Sequence, residues 1–166
     1  MTSRRAVLAS LASLSAMVFT TGFLFAPKPS KITVKVSGGA GMNPGPNGGD
    51  RPVVVMIYRL RSTGTFDQAD YFSLEADAAA TLGGDLMGSD TLAVAPGKLA
   101  SKMITVEPEA AALGFVAFVR EPTGRQWKVT KAMSPGSKLT IGIALGRGGM
   151  SVSSRKDGLF SSQDNR

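Results

Sequence analysis

The sequence contains neither cysteine nor histidine among its 166 residues. Without cysteine it can form no disulfide and has no thiol nucleophile. Without either residue type it can build no Cys/His zinc site and no Ser-His-Asp triad. Any catalysis would have to rest on carboxylates, lysine, tyrosine or serine. The sequence therefore favours a protein that is not an enzyme and that uses no cofactor.

Charge is only moderately unbalanced, because 19 Lys and Arg stand against 12 Asp and Glu, for a net charge of +7. The basic residues are scattered and form no basic run with interleaved aromatics of the kind that binds nucleic acid. We therefore expect a solvated basic surface and no nucleic-acid partner. The hydrophobic share of 43% and the charged share of 19% are those of a globular protein.

One long uncharged stretch stands near the N-terminus. Arg4 and Arg5 precede an apolar run over residues 6–26, which is long enough to cross a bilayer. We expect an uncleaved inner-membrane anchor, with a cleaved signal peptide or a buried core helix as alternatives. The two arginines favour a cytoplasmic N-terminus, with the remainder outside. They partly match a twin-arginine export signal, and an ordinary charged signal start is the other interpretation.

The rest of the chain has mostly the period of β-strands. Strands are predicted at residues 32–37, 53–60, 91–94, 103–106, 113–119, 126–131 and 139–145, with Met150 and Val152 ending the sheet. Residues 65–82 change to the helical period and predict one short helix. The second strand is apolar on both faces, so we expect this helix to cover it. Seven or eight short strands at this spacing indicate an all-β sandwich of two sheets.

These patterns predict one folded domain with flanking segments. The predicted parts are a signal anchor or signal peptide at 1–26, a linker at 27–31, a β-sandwich domain at 32–153 and a polar tail at 154–166. A domain of this length can bury a proper hydrophobic core.

A loop rich in glycine, asparagine and proline occupies residues 38–52. It lacks the Lys-Ser/Thr pair of a phosphate-binding P-loop, and a strand rather than a helix follows it. The glycines at 146–149 also precede no helix and are interpreted as a hairpin turn or bulge. Because long loops in compact domains tend to carry function, residues 38–52 are the first candidate for a functional segment.

Two other features allow a functional interpretation. Asp67, Asp70, Glu75 and Asp77 lie on the predicted helix and could hold Ca²⁺ or do acid/base chemistry. Acidic residues near a helix start also offset its dipole, so a solvated helix surface is the expected role. Trp127 lies on an alternating strand and is expected to anchor the core rather than to bind a partner.

Several short segments follow one another in a defined order. They are Asn43-Pro44, Arg51-Pro52-Val53-Val54-Val55-Met56-Ile57-Tyr58-Arg59-Leu60, residues 66–74 with Ala69-Asp70-Tyr71-Phe72-Ser73-Leu74, then Asp85, Asp90, Pro96-Gly97, Leu113-Gly114-Phe115-Val116-Ala117-Phe118-Val119-Arg120, and Trp127. This series, which extends over residues 32–145, resembles the TssJ (SciN-like) family, the periplasmic lipoproteins of the bacterial type VI secretion system.

The resemblance implies a transthyretin-like or C2-like β-sandwich with one short helical insertion, here preceded by an N-terminal hydrophobic helix. It implies a non-enzymatic role in the trans-envelope membrane complex, with TssM as partner and TssL as an indirect one. In the family, the loop between the first two strands contacts the periplasmic domain of TssM. In this sequence the partner-binding residues would be Asn43, Pro44, Gly45, Pro46, Asn47, Gly48, Gly49, Asp50 and Arg51.

The sequence departs from the family at the site of lipid attachment. TssJ proteins usually carry a lipobox cysteine that ties the domain to the outer membrane, whereas here Ala26 is followed by Pro27. We therefore expect no lipidation. The expected location is the periplasm, with anchoring in the inner membrane through residues 6–26 if they are uncleaved. An unrelated periplasmic sandwich that binds a small ligand or carbohydrate is the alternative, and a concave apolar pocket would favour it.

Overall fold

The computed structural model describes residues 27–157. The hydrophobic helix expected at residues 6–26 and the end of the polar tail lie outside these residues. The described elements are β1 (Ser30–Gly38), β2 (Val53–Leu60), α1 (Gly64–Gln68), α2 (Tyr71–Leu82), a 3₁₀ turn (Gly83–Asp85), β3 (Leu86–Val94), β4 (Leu99–Val106), β5 (Ala112–Phe118), β6 (Lys128–Ala132), β7 (Lys138–Gly146) and β8 (Gly149–Lys156).

The strands form two four-stranded sheets. The first sheet has the order β4-β1-β7-β8 and the second sheet the order β3-β2-β5-β6. Strands β1 and β7 run parallel, and the other neighbouring pairs are antiparallel. The two sheets pack face to face around one core. The predicted all-β sandwich of two sheets is therefore confirmed.

The core between the sheets is built by strict alternation along the strands. In β1, Ile32, Val34 and Val36 are fully buried, whereas Lys31 and Lys35 point outward and are exposed. The buried residues contributed by the second sheet are Val53, Val55, Ile57, Val94, Leu113, Phe115 and Ala117. Because residues 27–157 contain both sheets and this core, a chain that begins at Pro27 retains the complete sandwich.

The helical insertion covers the outer face of the second sheet. This second hydrophobic cluster consists of Tyr58, Leu60 and Val116 from the sheet and Phe66, Leu74 and Leu82 from the helices. It explains why β2 is apolar on both faces, as the sequence predicted. Gly114 lies on this face, where an added Cβ would come within 2.8 Å of the Phe66 ring. The absent side chain lets the helical layer approach the sheet closely.

The helical insertion is confirmed, but it is not one continuous helix: it breaks between α1 and α2, and Asp77 within α2 has the non-helical angles φ −157° and ψ 91°. The backbone turns to extended geometry at Ala69, with ψ 136°, and at Asp70, with ψ 167°. The Asp70 carboxylate accepts a 3.0 Å hydrogen bond from the Ser73 backbone N–H and caps the start of α2. An N-cap residue of this kind begins a new helix, which accounts for the break.

Strand boundaries differ from the predicted ones where the local pattern is weak. Strand β3 begins at Leu86, five residues before the predicted Thr91, because it pairs with β2 along its whole length. Strand β6 begins at Lys128, one residue after Trp127. Strand β8 continues to Lys156 and pairs with β7 there. Pairing with a neighbouring strand, not local alternation, decides these ends.

The connections gather at two opposite ends of the sandwich. One end, here called the loop end, holds residues 39–52, 95–98, 119–127 and 147–148. Backbone hydrogen bonds connect Gly97 to Gly38 and Gln126 to Gly148 there. The opposite end, here called the base, holds residues 27–29 and 133–137, with Gly136 N–H bonded to the Lys28 carbonyl. The chain therefore enters the domain at the base.

An ion network joins the two sheets where their edge strands β3 and β4 stack. The Arg59 guanidinium pairs with Asp90 and lies 3.2 Å from Glu107. Lys102 of the first sheet is 2.9 Å from Asp90. Since Arg59 and Asp90 are about four-fifths buried, the network neutralises charges at the margin of the core.

Candidate functional site

The long loop predicted at residues 38–52 connects β1 to β2 and is held at its stem by one carboxylate. Asp50 accepts hydrogen bonds from the backbone N–H groups of Gly41, at 2.7 Å, and Asn43, at 3.1 Å. Pro44 and Asp50 form an isolated β-bridge beside these bonds. Asp50 therefore closes the loop into a hairpin-like arm.

The stem is also attached to the body of the sandwich. Met42 is fully buried in the main core, and Asn43 is only 8% exposed. The Asn43 side chain donates to the Pro52 carbonyl at 3.3 Å and accepts from the Arg120 backbone N–H at 2.9 Å. Asn43, one of the predicted partner-binding residues, is thus occupied in holding the loop to the chain after β5.

The apex of the loop is a tight, exposed turn. Gly45 N–H donates to the Gly49 carbonyl at 2.8 Å, and Gly48 N–H donates to the Gly45 carbonyl at 3.1 Å. Gly48 has φ +89°, which favours glycine there. Exposed residues in this part of the loop are Pro46, Asn47, Gly48, Gly49 and Arg51. The apex therefore projects into solvent on a fixed stem.

Arg125 connects the loop to the turn that follows β5. Its guanidinium Nη1 donates to the carbonyls of Gly41, at 2.9 Å, and Met42, at 3.2 Å. The next residue, Gln126, bonds through its backbone to the β7–β8 turn. Sequence reasoning missed Arg125, since an arginine after a Pro-Thr-Gly turn carries no signal of a distant backbone partner.

An aromatic patch lies beside this turn. Tyr71 is buried and donates its hydroxyl to the Val119 carbonyl at 2.7 Å. Burial and, to a lesser extent, the nearby Glu75 carboxylate raise the pKa of Tyr71. Trp127 packs edge-on against Tyr71 at 5.2 Å, and Phe72 is 68% exposed. The expected core anchor Trp127 is therefore a half-buried residue of the second cluster, outside the core between the sheets.

The acidic residues of the helical insertion have structural roles. Hydrogen bonds from Ser73 hold the pKa of the exposed Asp70 below its usual value. Asp77 accepts from the Ala80 backbone N–H at 2.9 Å. In residues 27–157, no group of three or more acidic side chains is arranged to hold a metal ion. All four acidic side chains that the sequence singled out, Asp67, Asp70, Glu75 and Asp77, are exposed.

Lys128 attaches the helical insertion to β6. Its ammonium donates to the backbone carbonyls of Phe66, Asp67 and Ala69 at 2.8, 2.8 and 2.7 Å. Burial lowers the pKa of Lys128, while the carboxylates of Asp67 and Asp70 act in the opposite direction. Three acceptors use all three ammonium hydrogens, so this geometry requires the protonated form.

Among residues 27–157, neither helix is long and apolar enough to cross a bilayer.

Comparison with known proteins identifies the family. The family model T6SS-SciN, described as Type VI secretion lipoprotein, VasD, EvfM, TssJ, matches residues 30–148. No curated protein is a significant match to the sequence. The crystal structure of the T6SS lipoprotein TssJ1 from Pseudomonas aeruginosa is similar at 27% identity and a TM-score of 0.69, over 80% of this chain and 100% of that one.

Two further solved structures share the fold. Serratia marcescens Lip, a membrane bound component of the Type VI Secretion System, has 23% identity and a TM-score of 0.66, over 74% of this chain and 96% of that one. A chain in the structure described as T6SS protein TssM C-terminal domain from EAEC has 21% identity and a TM-score of 0.65, over 74% and 97%. With the family model matched across both sheets, the chain belongs to the TssJ family of type VI secretion lipoproteins.

Proposed function

We propose that this protein is a non-enzymatic periplasmic subunit of the type VI secretion trans-envelope membrane complex. We further propose that the apex of its residue 39–52 loop binds the periplasmic domain of TssM. Membership of the TssJ family supports the subunit role. The observation that carries the loop assignment is the contrast between a stem fixed by Asp50 and Asn43 and an apex exposed to solvent.

This contrast suits the binding of a protein partner. A loop that already holds its bound shape loses little conformational entropy on association. Asn43 and Asp50 would act through the shape of the stem, because their side chains are engaged within the chain. Pro46, Asn47 and Arg51 would supply direct contacts. Five of the nine residues named from the sequence thus divide into a supporting pair and a contacting group of three.

The choice of TssM as partner draws on the fold relatives. One chain of the same fold occurs in the structure described as T6SS protein TssM C-terminal domain, and another in the structure described as Type VI membrane complex. Pro27 enters at the base, so the proposed TssM contact lies at the opposite end of the sandwich from the point where residues 6–26 join the domain. TssL would be reached only indirectly, through TssM.

Two prolines in exposed turns at opposite ends provide a matched test. Pro46 lies at the apex and Pro135 at the base, and both are exposed. We expect Pro46→Arg to weaken binding of residues 27–166 to the TssM periplasmic domain by about tenfold or more, as loss of an interface anchor does. Pro135→Arg should leave the affinity unchanged. Isothermal titration measures both, with circular dichroism confirming the fold.

The control separates the possible results. If both variants bind like the wild type, the apex is not the contact. If the folded wild-type domain does not bind TssM at all, the family relation extends to the fold alone, and the alternative of a ligand-binding sandwich becomes the primary hypothesis.

A further inference from the structure

Charge is segregated between the two faces of the molecule. The helical insertion on the second sheet has five acidic residues between Gly64 and Asp85 and no basic one. The opposite surface is the outward side of the first sheet, here called the basic face. Its charged residues are Lys31, Lys35, Lys138, Arg155 and Asp157. Acidic residues are therefore concentrated on the helical insertion, and basic residues are concentrated on the opposite face.

Strand register brings the basic residues together. Lys31 of β1 is the direct neighbour of Lys138 of β7, and Arg155 of β8 is the direct neighbour of Thr140, two residues further along β7. Lys35 lies beside Gly142 of β7. Neighbouring strands are about 4.8 Å apart, so the four cations share a patch only three strands wide.

This arrangement leaves an excess of positive charge on the basic face, with four cations and one carboxylate. Like charges directly opposite one another on paired strands are unfavourable. Within residues 27–157, none of the four cations forms a salt bridge. The one acidic neighbour, Asp157, accepts a hydrogen bond from the Thr140 hydroxyl at 2.9 Å. An external anion would relieve the repulsion between Lys31 and Lys138.

The shape of the basic face indicates the kind of anion. Beside Lys35 the outward residues are small: Gly142 lies between Lys35 and Ser153, and Ala144 lies between Ser37 and Ser151. The hollows beside Lys35 are partly open to solvent. On the flanking strand β4, Met103 and Leu99 are 69% and 65% exposed. An open cationic surface with apolar side chains at its margin fits a lipid interface.

We propose that the basic face rests on the anionic phospholipid headgroups of a bilayer. The position of the face agrees with this occupant. Lys31 and Lys138 lie next to the base. Lys31 is four residues after Pro27, where the chain enters the domain, and Lys138 is the first residue of β7. The uncharged stretch of residues 6–26 ends directly before that entry. The loop end remains available to a protein partner, so the inference is independent of TssM binding.

Vesicle sedimentation tests the proposal with a chain of residues 27–166, which retains both sheets and lacks the apolar stretch. We expect it to bind phosphatidylcholine vesicles only when they contain phosphatidylglycerol, and increasing salt should release it because the contacts are exposed. The triple variant Lys31→Gln, Lys35→Gln and Arg155→Gln should bind about a hundredfold more weakly, at about fivefold for each charge.

A variant that loses equal charge elsewhere is the control. Arg61→Gln, Lys98→Gln and Arg120→Gln remove three exposed charges outside the basic face and should retain most of the vesicle binding. Equal loss in both triple variants would overturn the proposal, because net charge alone would then explain the binding. Binding to neutral vesicles would also overturn the proposal. Retention on an acidic peptide column without vesicle binding would overturn it as well, because the basic face would then bind an acidic protein. Thermal unfolding confirms that each variant is folded.

Discussion

Removing the charge of Lys128 should loosen the helical insertion. The ammonium gives one hydrogen bond to each of three carbonyls at the end of α1, all at 2.7–2.8 Å. It also lies 5.5 Å from the Phe66 ring centroid and 5.2 Å from that of Trp127. Lys128→Met is the sharpest perturbation, because methionine retains an apolar stem and removes only the ammonium group, with its charge and its donors.

The expected magnitude follows from those contacts. A hydrogen bond with a charged partner contributes about 1.5–3 kcal/mol net, and three bonds from one ammonium do not add in full. The cation–π contacts contribute about 0.5–1 kcal/mol at a partly exposed site. Since water can reach some of the carbonyls after the substitution, we expect Lys128→Met to lower the free energy of unfolding by about 2–3 kcal/mol.

Urea unfolding measures this change with two probes. Circular dichroism follows the whole domain, and the fluorescence of Trp127, the one tryptophan in the sequence, follows the layer next to Lys128. Lys131→Met is the matched control, because Lys131 belongs to the same strand and makes none of these bonds. The control should change stability by less than about 0.5 kcal/mol. A Lys128→Met variant as stable as the wild type, or a control equally destabilised, would refute the reasoning.

The remaining predictions concern the core and the helix caps. The buried Tyr58 hydroxyl has no hydrogen-bond partner among the described residues, so Tyr58→Phe should leave stability unchanged or raise it by up to about 1 kcal/mol. Tyr71→Phe loses a buried hydrogen bond and should lower the free energy of unfolding by about 1–2 kcal/mol, as measured in urea. Gly114→Ala places a methyl group against the fully buried Phe66 ring and should cost about 1–3 kcal/mol; a variant as stable as the wild type would show that the helical layer can shift. Hydrogen bonds lower the pKa of Asp70 in the folded protein, so its contribution to stability is complete above the unfolded pKa of about 3.9 and is lost as the pH falls through the lower folded pKa. The difference in unfolding free energy between the wild type and Asp70→Asn should therefore shrink in acid, and a difference that is constant with pH would contradict this cause.

The loop that forms the candidate site could be located from the sequence, but which of its residues are buried and which are exposed could not. Glycine and proline marked residues 38–52 as a loop, because they disfavour any regular element. That Asn43 is buried and Pro46 exposed depends on bonds to Pro52 and to the chain after β5. The Arg125 contact with the loop spans more than 80 residues, and no local pattern encodes a contact of that separation.

The basic face and the break between the two helices also could not be predicted from local sequence patterns. The sequence places Lys31, Lys138 and Arg155 far apart, and they appear scattered until β1, β7 and β8 pair in register. The apolar outer face of β2 did predict a covering element, since exposed apolar surface must be buried. The break at Ala69 was not predicted, because the spacing of apolar residues continues across it, whereas the Asp70 cap starts a second helix.

By itself, the sequence determined the class of fold, the position of the main loop and the absence of cysteine and histidine chemistry. These follow from local periodicity, turn residues and composition, which depend only on neighbours along the chain. The tertiary structure alone decided which residues of the loop project, how Lys128 holds the helices, and that four distant cations share one face. Those features arise from strand pairing and from contacts over long sequence separations, which are set only when the two sheets close around their core.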